Sequence, residues 1–497
     1  MKLHLTLILL LICFVLIGCG GGQTVSPTSP TIAPPTEAPA EPTSVPTLPP
    51  EITETPLPAQ IPTPDPNTPL SEEGPWWVFS REDVLWIVNP DGSGLRKLTE
   101  GQDIITRLGD GLALQGGHLA YITGNERVYG LTLNLLSLPS GETRVITPLT
   151  SPETEPDIEN PTFDESFEAA SAVTFQKSID WAPDGKQLAF LGVMEGPTSD
   201  LYTYSIDDEV ITQLSDGPTQ AIRPLWDPIG KYILHAGVST MGSGAGLGME
   251  GFWAASADGS GFNSLFEPSE ISGDEIVVGW NAPDTFVMFT WSQMGNRDLR
   301  SVNVETGESQ VHFQGCFNEE MAMDESTGIV LLAISEYGAN CIDGLLQGLY
   351  LVPTDGGPFL RIVEDDASYI LWSDEAGLFL ALTKNGVLAV APSGDFIDLN
   401  VPEGTSWFPE VASGTKQLAW TGDSGVWIGP LLGSIDQPPQ QIFTEETWTA
   451  AWASEGEHLL FITAEGSLYV AHSPDFTPVL VAEGVTSGGA DSAWVWP

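Results

Sequence analysis

Ser178-Ile179-Asp180-Trp181-Ala182-Pro183-Asp184-Gly185-Lys186-Gln187-Leu188-Ala189-Phe190 is the stretch whose reading decides the fold. It reads as a strand, a tight turn and a second strand. Pro presets φ at the turn, and Gly accepts the positive φ that tight turns require. Further on, Asp200–Asp207 and Ile211–Leu214 alternate β-branched or aromatic residues with polar ones and are bounded by turn residues. The unit is therefore four short antiparallel strands. Leu225-Trp226-Asp227-Pro228-Ile229-Gly230-Lys231-Tyr232-Ile233-Leu234 opens a second copy, continued by Phe252–Gly259 and Phe262–Phe266.

Aligning the first turn along the chain places units near Leu112, Trp181, Trp226, Trp280, Met323, Trp372, Val411, Trp452 and Trp496, about 40 to 55 residues apart except across the first gap. That is the blade period of a β-propeller. The last unit, Asp491–Pro497, supplies only a first strand, whereas Trp76-Trp77-Val78-Phe79 begins with a second strand. A ring must join its first and last sheets to remove exposed edges, so the two ends are expected to share one composite blade. The fold class is all-β: a single large propeller of four-stranded blades over residues 76–497. The count is nine blades, or eight if Cys316–Asp365 or the unit near Leu112 is a decoration.

The Trp-x-Pro-Asp-Gly-Lys turn, the Leu201-Tyr202 strand and Asn89-Pro90-Asp91-Gly92-Ser93-Gly94-Leu95-Arg96-Lys97-Leu98-Thr99 resemble TolB-like, WD40-like (PD40) propeller repeats. The resemblance extends over residues 76–497 and implies a protein-interaction role at the cell envelope. It does not carry over TolB's partners, because the α/β domain preceding that family's propeller finds no counterpart in residues 1–75.

Leu3 to Ile17 is almost entirely apolar, follows Lys2, and leads into Leu16-Ile17-Gly18-Cys19. That length suits a signal peptide and falls short of the roughly 20 residues needed to span a bilayer. Leu-Ile-Gly-Cys resembles the lipobox of bacterial lipoproteins. By that resemblance residues 1–18 are a signal peptide, Cys19 carries acyl chains, and the protein is extracytoplasmic, held at the cell membrane or outer membrane. Gly20 rather than Asp after the cysteine points to the outer membrane, where there is one. From Thr24 to Pro75, 16 of 52 residues are Pro and 10 are Thr, with no Lys or Arg. Such a composition cannot offset its ordering entropy, so residues 19–75 are expected to be a lipidated, disordered linker.

Lys and Arg number 16 against 67 Asp and Glu, a net charge of -51. No basic surface of useful size can be built from so few cations, which excludes a phosphate-tracking nucleic-acid binder. The expected partners are the membrane, through the anchor, and another envelope protein or a cationic ligand, with the chain itself a monomer.

Among candidate site residues, Cys316 and Cys341 are expected to pair, as two cysteines in an exported protein usually do. Gly422-Asp423-Ser424-Gly425 resembles the nucleophile loop of trypsin-like proteases but sits where a hairpin turn needs those residues. His4, His118, His235, His312, His458 and His472 are scattered without metal-ligand or paired spacing. Between Ser151 and Ala172 lie seven carboxylates without a cation. A solvated insertion with a short helix at Asp164–Ala170 is expected, with Ca2+ the one cofactor considered and otherwise none. Most tryptophans recur beside the first turn, where they pack between sheets. Trp76, Trp77, Trp291 and Trp407 fall outside that register and are the candidates for an exposed binding surface. With no catalytic set visible, the expectation is a non-catalytic binding platform without enzymatic activity. The alternatives are a sugar- or peptide-binding protein, or a propeller hydrolase or lyase.

Overall fold

The computed structural model describes residue 65 and residues 67–495, except 82–83, 100–115, 126–127, 155–164, 176, 242–246, 267–275, 292–296, 318–319, 337–344, 400, 403, 406–408, 413–415, 432–437, 454–455 and 486–491. In the deciding stretch, strand Ile179–Trp181 runs into the turn and returns as Gln187–Gly192. The turn closes as its chemistry requires: Gly185 N donates to the Ala182 carbonyl at 2.9 Å, Lys186 N donates to Asp184 Oδ1 at 3.0 Å, and Gly185 sits at φ 67. Strands Asp200–Ser205 and Ile211–Gln213 complete the sheet outward.

The same construction recurs around a propeller ring of nine blades. Eight sheets have four antiparallel strands, and the second, His118–Asn125, Tyr129–Ser137 and Glu142–Pro148, has three among the described residues. Its expected inner strand near Leu112 lies outside them. The unit from Cys316 is a full blade, Met321–Asp324, Ile329–Ile334, Gly348–Pro353 and Leu360–Val363, so the count is nine rather than eight.

Closure occurs as the strand count demands. Ser492–Val495 pairs antiparallel with Trp76–Arg81, with Trp76 opposite Val495, Trp77 opposite Trp494, Val78 opposite Ala493 and Phe79 opposite Ser492. Val84–Val88 and Arg96–Lys97 finish this composite blade. Val495 then lies in one core cluster with Trp76, Val78, Leu85, Ile87 and Leu119, which joins the composite blade to the second. Residues 67–75, at the end of the proline-rich segment, pack on this blade too. Leu70 enters the same core, Trp76 Nε1 donates to the Ser71 carbonyl at 2.9 Å, and Asn89 Nδ2 donates to the Pro69 carbonyl at 3.1 Å.

The core consists of layers between neighbouring sheets. Phe190, Leu201, Trp226 and Ile233 share one such layer, and Leu331, Leu349, Phe379 and Val390 another. Each fully buried side chain of this size contributes about 1.5–3 kcal/mol relative to exposure. The helix in the acidic insertion spans Glu165–Val173 and buries Ala169, Ala170, Ala172 and Val173. Asp164 and the carboxylates at 155, 157 and 159 lie outside the described residues. Among the described residues, no group of three His, Cys, Asp or Glu is placed to hold a metal ion.

One glycine is fixed by close approach as well as by conformation. Gly348, opening the third strand of the sixth blade, has φ +144, and a Cβ there would stand 2.1 Å from the Val363 carbonyl oxygen. Gly348→Ala should therefore destabilise the domain by about 2–4 kcal/mol, read as a lowered denaturation midpoint at unchanged slope.

Candidate functional site

The inner strands of the blades wall a central channel, and four of them converge on a pocket of about 400 Å3. These are Ala367–Ser373 of the seventh blade, Glu410–Val411 of the eighth, Thr447–Trp452 of the ninth and Ser492–Val495 of the composite blade. Leu371, Glu410 and Ala451, each preceding the aligned turn position in its own blade, line the pocket together with Trp372, Glu375, Trp452 and Trp494.

Inter-blade bonding explains this arrangement. Trp226 Nε1 donates to the Asp180 carbonyl of the preceding blade at 3.1 Å, and Trp452 Nε1 donates to the Glu410 carbonyl at 3.2 Å. Glu410 thus occupies the place that Asp180 holds five blades earlier. The two carboxylates differ in fate, because Asp180 Oδ2 accepts the Trp226 backbone N–H at 2.7 Å. Glu410 instead faces the pocket.

Glu410 is open to channel solvent yet ringed by protein. Confined solvent stabilises a charge less well than bulk water, and its exposed surface tempers this effect without reversing it. That burial first, and the negative charge of Glu375 second, push the Glu410 carboxyl up to about 7. Glu375 lies in the turn after Ser373, whose Oγ donates to Glu375 Oε2 at 3.3 Å. Trp372 Nε1 donates to Asp374 Oδ1 at 2.7 Å, which fixes that indole at the pocket edge. Chemically, the pocket offers aromatic walls, a negative charge, and a carboxyl able to take up or release a proton near neutrality.

A second cavity, of about 360 Å3, lies at the seam of the composite and ninth blades, lined by Ser71, Asn89, Asp91, Ser93 and His458 among others. Strand pairing sets His458 opposite His472, with Nδ1 to Nδ1 2.9 Å. Burial, then the charge of His458, holds His472 below the usual imidazole range. The histidines expected to be scattered thus include one pair, invisible as sequence spacing because a hairpin makes it. Ser93 is held by the turn itself, its Oγ donating to Asp91 Oδ1 at 2.6 Å.

The tryptophans expected to be exposed are corrected by the structure. Trp76 is 0% and Trp77 3% exposed. Their strand is second in its blade, flanked on both sides, with each face covered by a neighbouring sheet, and Trp77 meets Trp494 edge-on at 5.0 Å. Trp291 ends strand Thr285–Trp291 with its side chain outside the described residues, as is all of Trp407. Of the tryptophans at the pocket, Trp372 and Trp452 are in-register ones read as core, and Trp494 stands two residues before the aligned Trp496. Trp452 packs toward the eighth blade and Trp494 toward the ninth, and both also line the channel pocket. Cys316 is buried and disulfide-bonded, and Cys341 lies outside the described residues, as does Cys19.

No protein-family model matches the chain. The uncharacterized peptidase YuxL of Bacillus subtilis (strain 168) is 41% identical over 54 residues, which is 11% of this chain and 8% of that protein. Among solved structures, a eukaryotic initiation factor is similar with TM-score 0.55 at 10% identity, over 85% of this chain and 98% of that one. Porphyromonas gingivalis dipeptidyl peptidase 4 gives 0.48 at 10% identity over 77% and 60%, and TolB from Acinetobacter baumannii 0.29 at 15% over 57% and 61%. At these identities the structures speak to fold alone. The YuxL match overturns the expectation of a non-catalytic platform without enzymatic activity: the curated relative is a peptidase, and the hydrolase alternative fits better.

Proposed function

We propose that the chain acts in peptide hydrolysis, with the channel pocket as the place where the peptide is received. The observation that carries this reading is the convergence of Glu410, Glu375 and three indoles on one pocket of about 400 Å3 at the inner edge of four blades. A pocket of that volume suits a peptide side chain and its flanking backbone. Glu410, poised to exchange a proton near neutral pH, acts as general base toward the water that attacks the peptide carbonyl. The 54-residue likeness to a peptidase supports the choice of substrate. Incubating the purified chain with a quenched fluorescent peptide library should give cleavage; no cleavage of any member would refute the reading.

The hydrolase is proposed to work outside the cytoplasm on a lipid tether at Cys19. Acyl burial contributes about 0.8 kcal/mol per methylene, so two or three chains hold stably. Cys19→Ser should move the protein from the membrane to the soluble fraction of lysed cells, and retention on membranes would disprove the anchor.

A further inference from the structure

We propose that the channel pocket selects its peptides by an organic cation, the ammonium or guanidinium of a lysine or arginine side chain, seated among Trp372, Trp452 and Trp494 and paired with Glu375. This rests on reading the pocket as the peptide site and adds the substrate class.

The pocket walls carry the first argument. Indole is the aromatic side chain that attracts a cation most strongly, and three of them border this one cavity. An aliphatic stem has company as well, from Leu371, Pro409, Val411 and Ala451. The polar lining carries the second. Glu375 and Glu410 contribute two carboxyls, and no Lys or Arg is among the lining residues, so no cation of the pocket's own wall occupies the place. The three indoles are also held from behind: Trp372 by Asp374, Trp452 by the Glu410 carbonyl, and Trp494 against Trp77. A cage fixed in this way loses little freedom when it closes on a ligand.

The pairing has a second consequence. The charge of Glu375 helps hold the proton on Glu410, and a cation beside Glu375 cancels that repulsion. Binding should therefore release a proton near neutrality and strengthen with rising pH. The charged group that acts on Glu410 from the seventh blade is Glu375. The ninth and composite blades present Ala451, Trp452 and Trp494.

The test is calorimetric titration of the full chain with Nα-acetyl-lysine methylamide and with Nα-acetyl-norleucine methylamide, an uncharged analogue that keeps the four-carbon side chain and lacks the ammonium, in two buffers of different ionisation enthalpy. The lysine compound should bind at least about ten-fold more tightly, with proton release, and more tightly at about pH 8 than at about pH 6. Glu375 is exposed, so Glu375→Gln should fold normally. It should remove most of the preference for lysine while leaving norleucine binding in place. Trp372→Ala should weaken the lysine compound as well. Equal affinity for the two compounds, or an unchanged preference in Glu375→Gln, would overturn the proposal. The outcome is separable from the hydrolase reading: cation binding by a chain that cleaves nothing retains the cage and removes the hydrolase, and cleavage without preference for Lys or Arg does the reverse.

Discussion

A chain ending at residue 490 should lose about 6 °C of melting temperature and become protease-sensitive along its first strands. The strand removed, Ser492–Val495, is the inner strand of the composite blade. Its loss exposes the inner edge of Trp76–Arg81, whose first four residues are buried, to water or to another chain. Burial of Val495 contributes about 1.5–3 kcal/mol. Each ladder hydrogen bond lost adds about 0.5–1.5 kcal/mol. Together with the contact between Trp494 and Trp77, the sum is on the order of 5 kcal/mol. An unfolding entropy of roughly 2 cal/mol/K per residue over some 420 residues converts that to about 6 °C. Val495→Asp tests the same seam without shortening the chain, by placing a carboxylate in the core shared with Trp76 and Leu119. Unchanged melting and unchanged protease resistance in both variants would show that the seam does not hold the ring.

The seam was legible in the sequence because it depends on counting strands, and each strand is marked by local chemistry. Pro183-Asp184-Gly185 specifies its turn within four residues, and the repeat of that turn marks the blades. The channel pocket depends on something else, the meeting of residues far apart in sequence. Trp494 shares a pocket with Trp372 and Glu410 only because closure brings its strand between the ninth blade and the second. Glu410 carried a readable sign, a carboxylate at the position where the neighbouring blades have Leu371 and Ala451. Its departure from Asp180, which spends its carboxylate on a backbone N–H, needs the inter-blade geometry. The tryptophans misled for a related reason. A residue at the end of an inner strand touches a neighbouring sheet and the channel at once, so reading Trp372 and Trp452 as core was incomplete. Trp76 and Trp77 looked free because they stand outside the first-turn register, although the expected closure already made theirs the second strand of a blade and so a covered one.

Glu410→Gln should lower peptide cleavage about 10²- to 10⁴-fold, the usual contribution of a positioned general base. Glutamine keeps the shape of the side chain but cannot accept the proton of the attacking water. The ascending limb of kcat/KM against pH belongs to the free enzyme's base, so activity should rise through a midpoint near 7. Glu375→Gln removes one of the two causes of the raised value, and the midpoint should move downward. The sign for stability is opposite to that for activity. Glu410 titrates higher in the fold than in the unfolded chain, so it costs stability increasingly from the ordinary glutamate range up to about pH 7 and by its full amount above that. That cost fades as the pH falls toward the ordinary glutamate range. Glu410→Gln should therefore melt higher than the parent at about pH 8 and alike at about pH 4. A variant that loses cleavage while gaining alkaline stability has lost chemistry and not structure. Wild-type cleavage by Glu410→Gln, or a pH profile without a limb near 7, would remove Glu410 from the reaction.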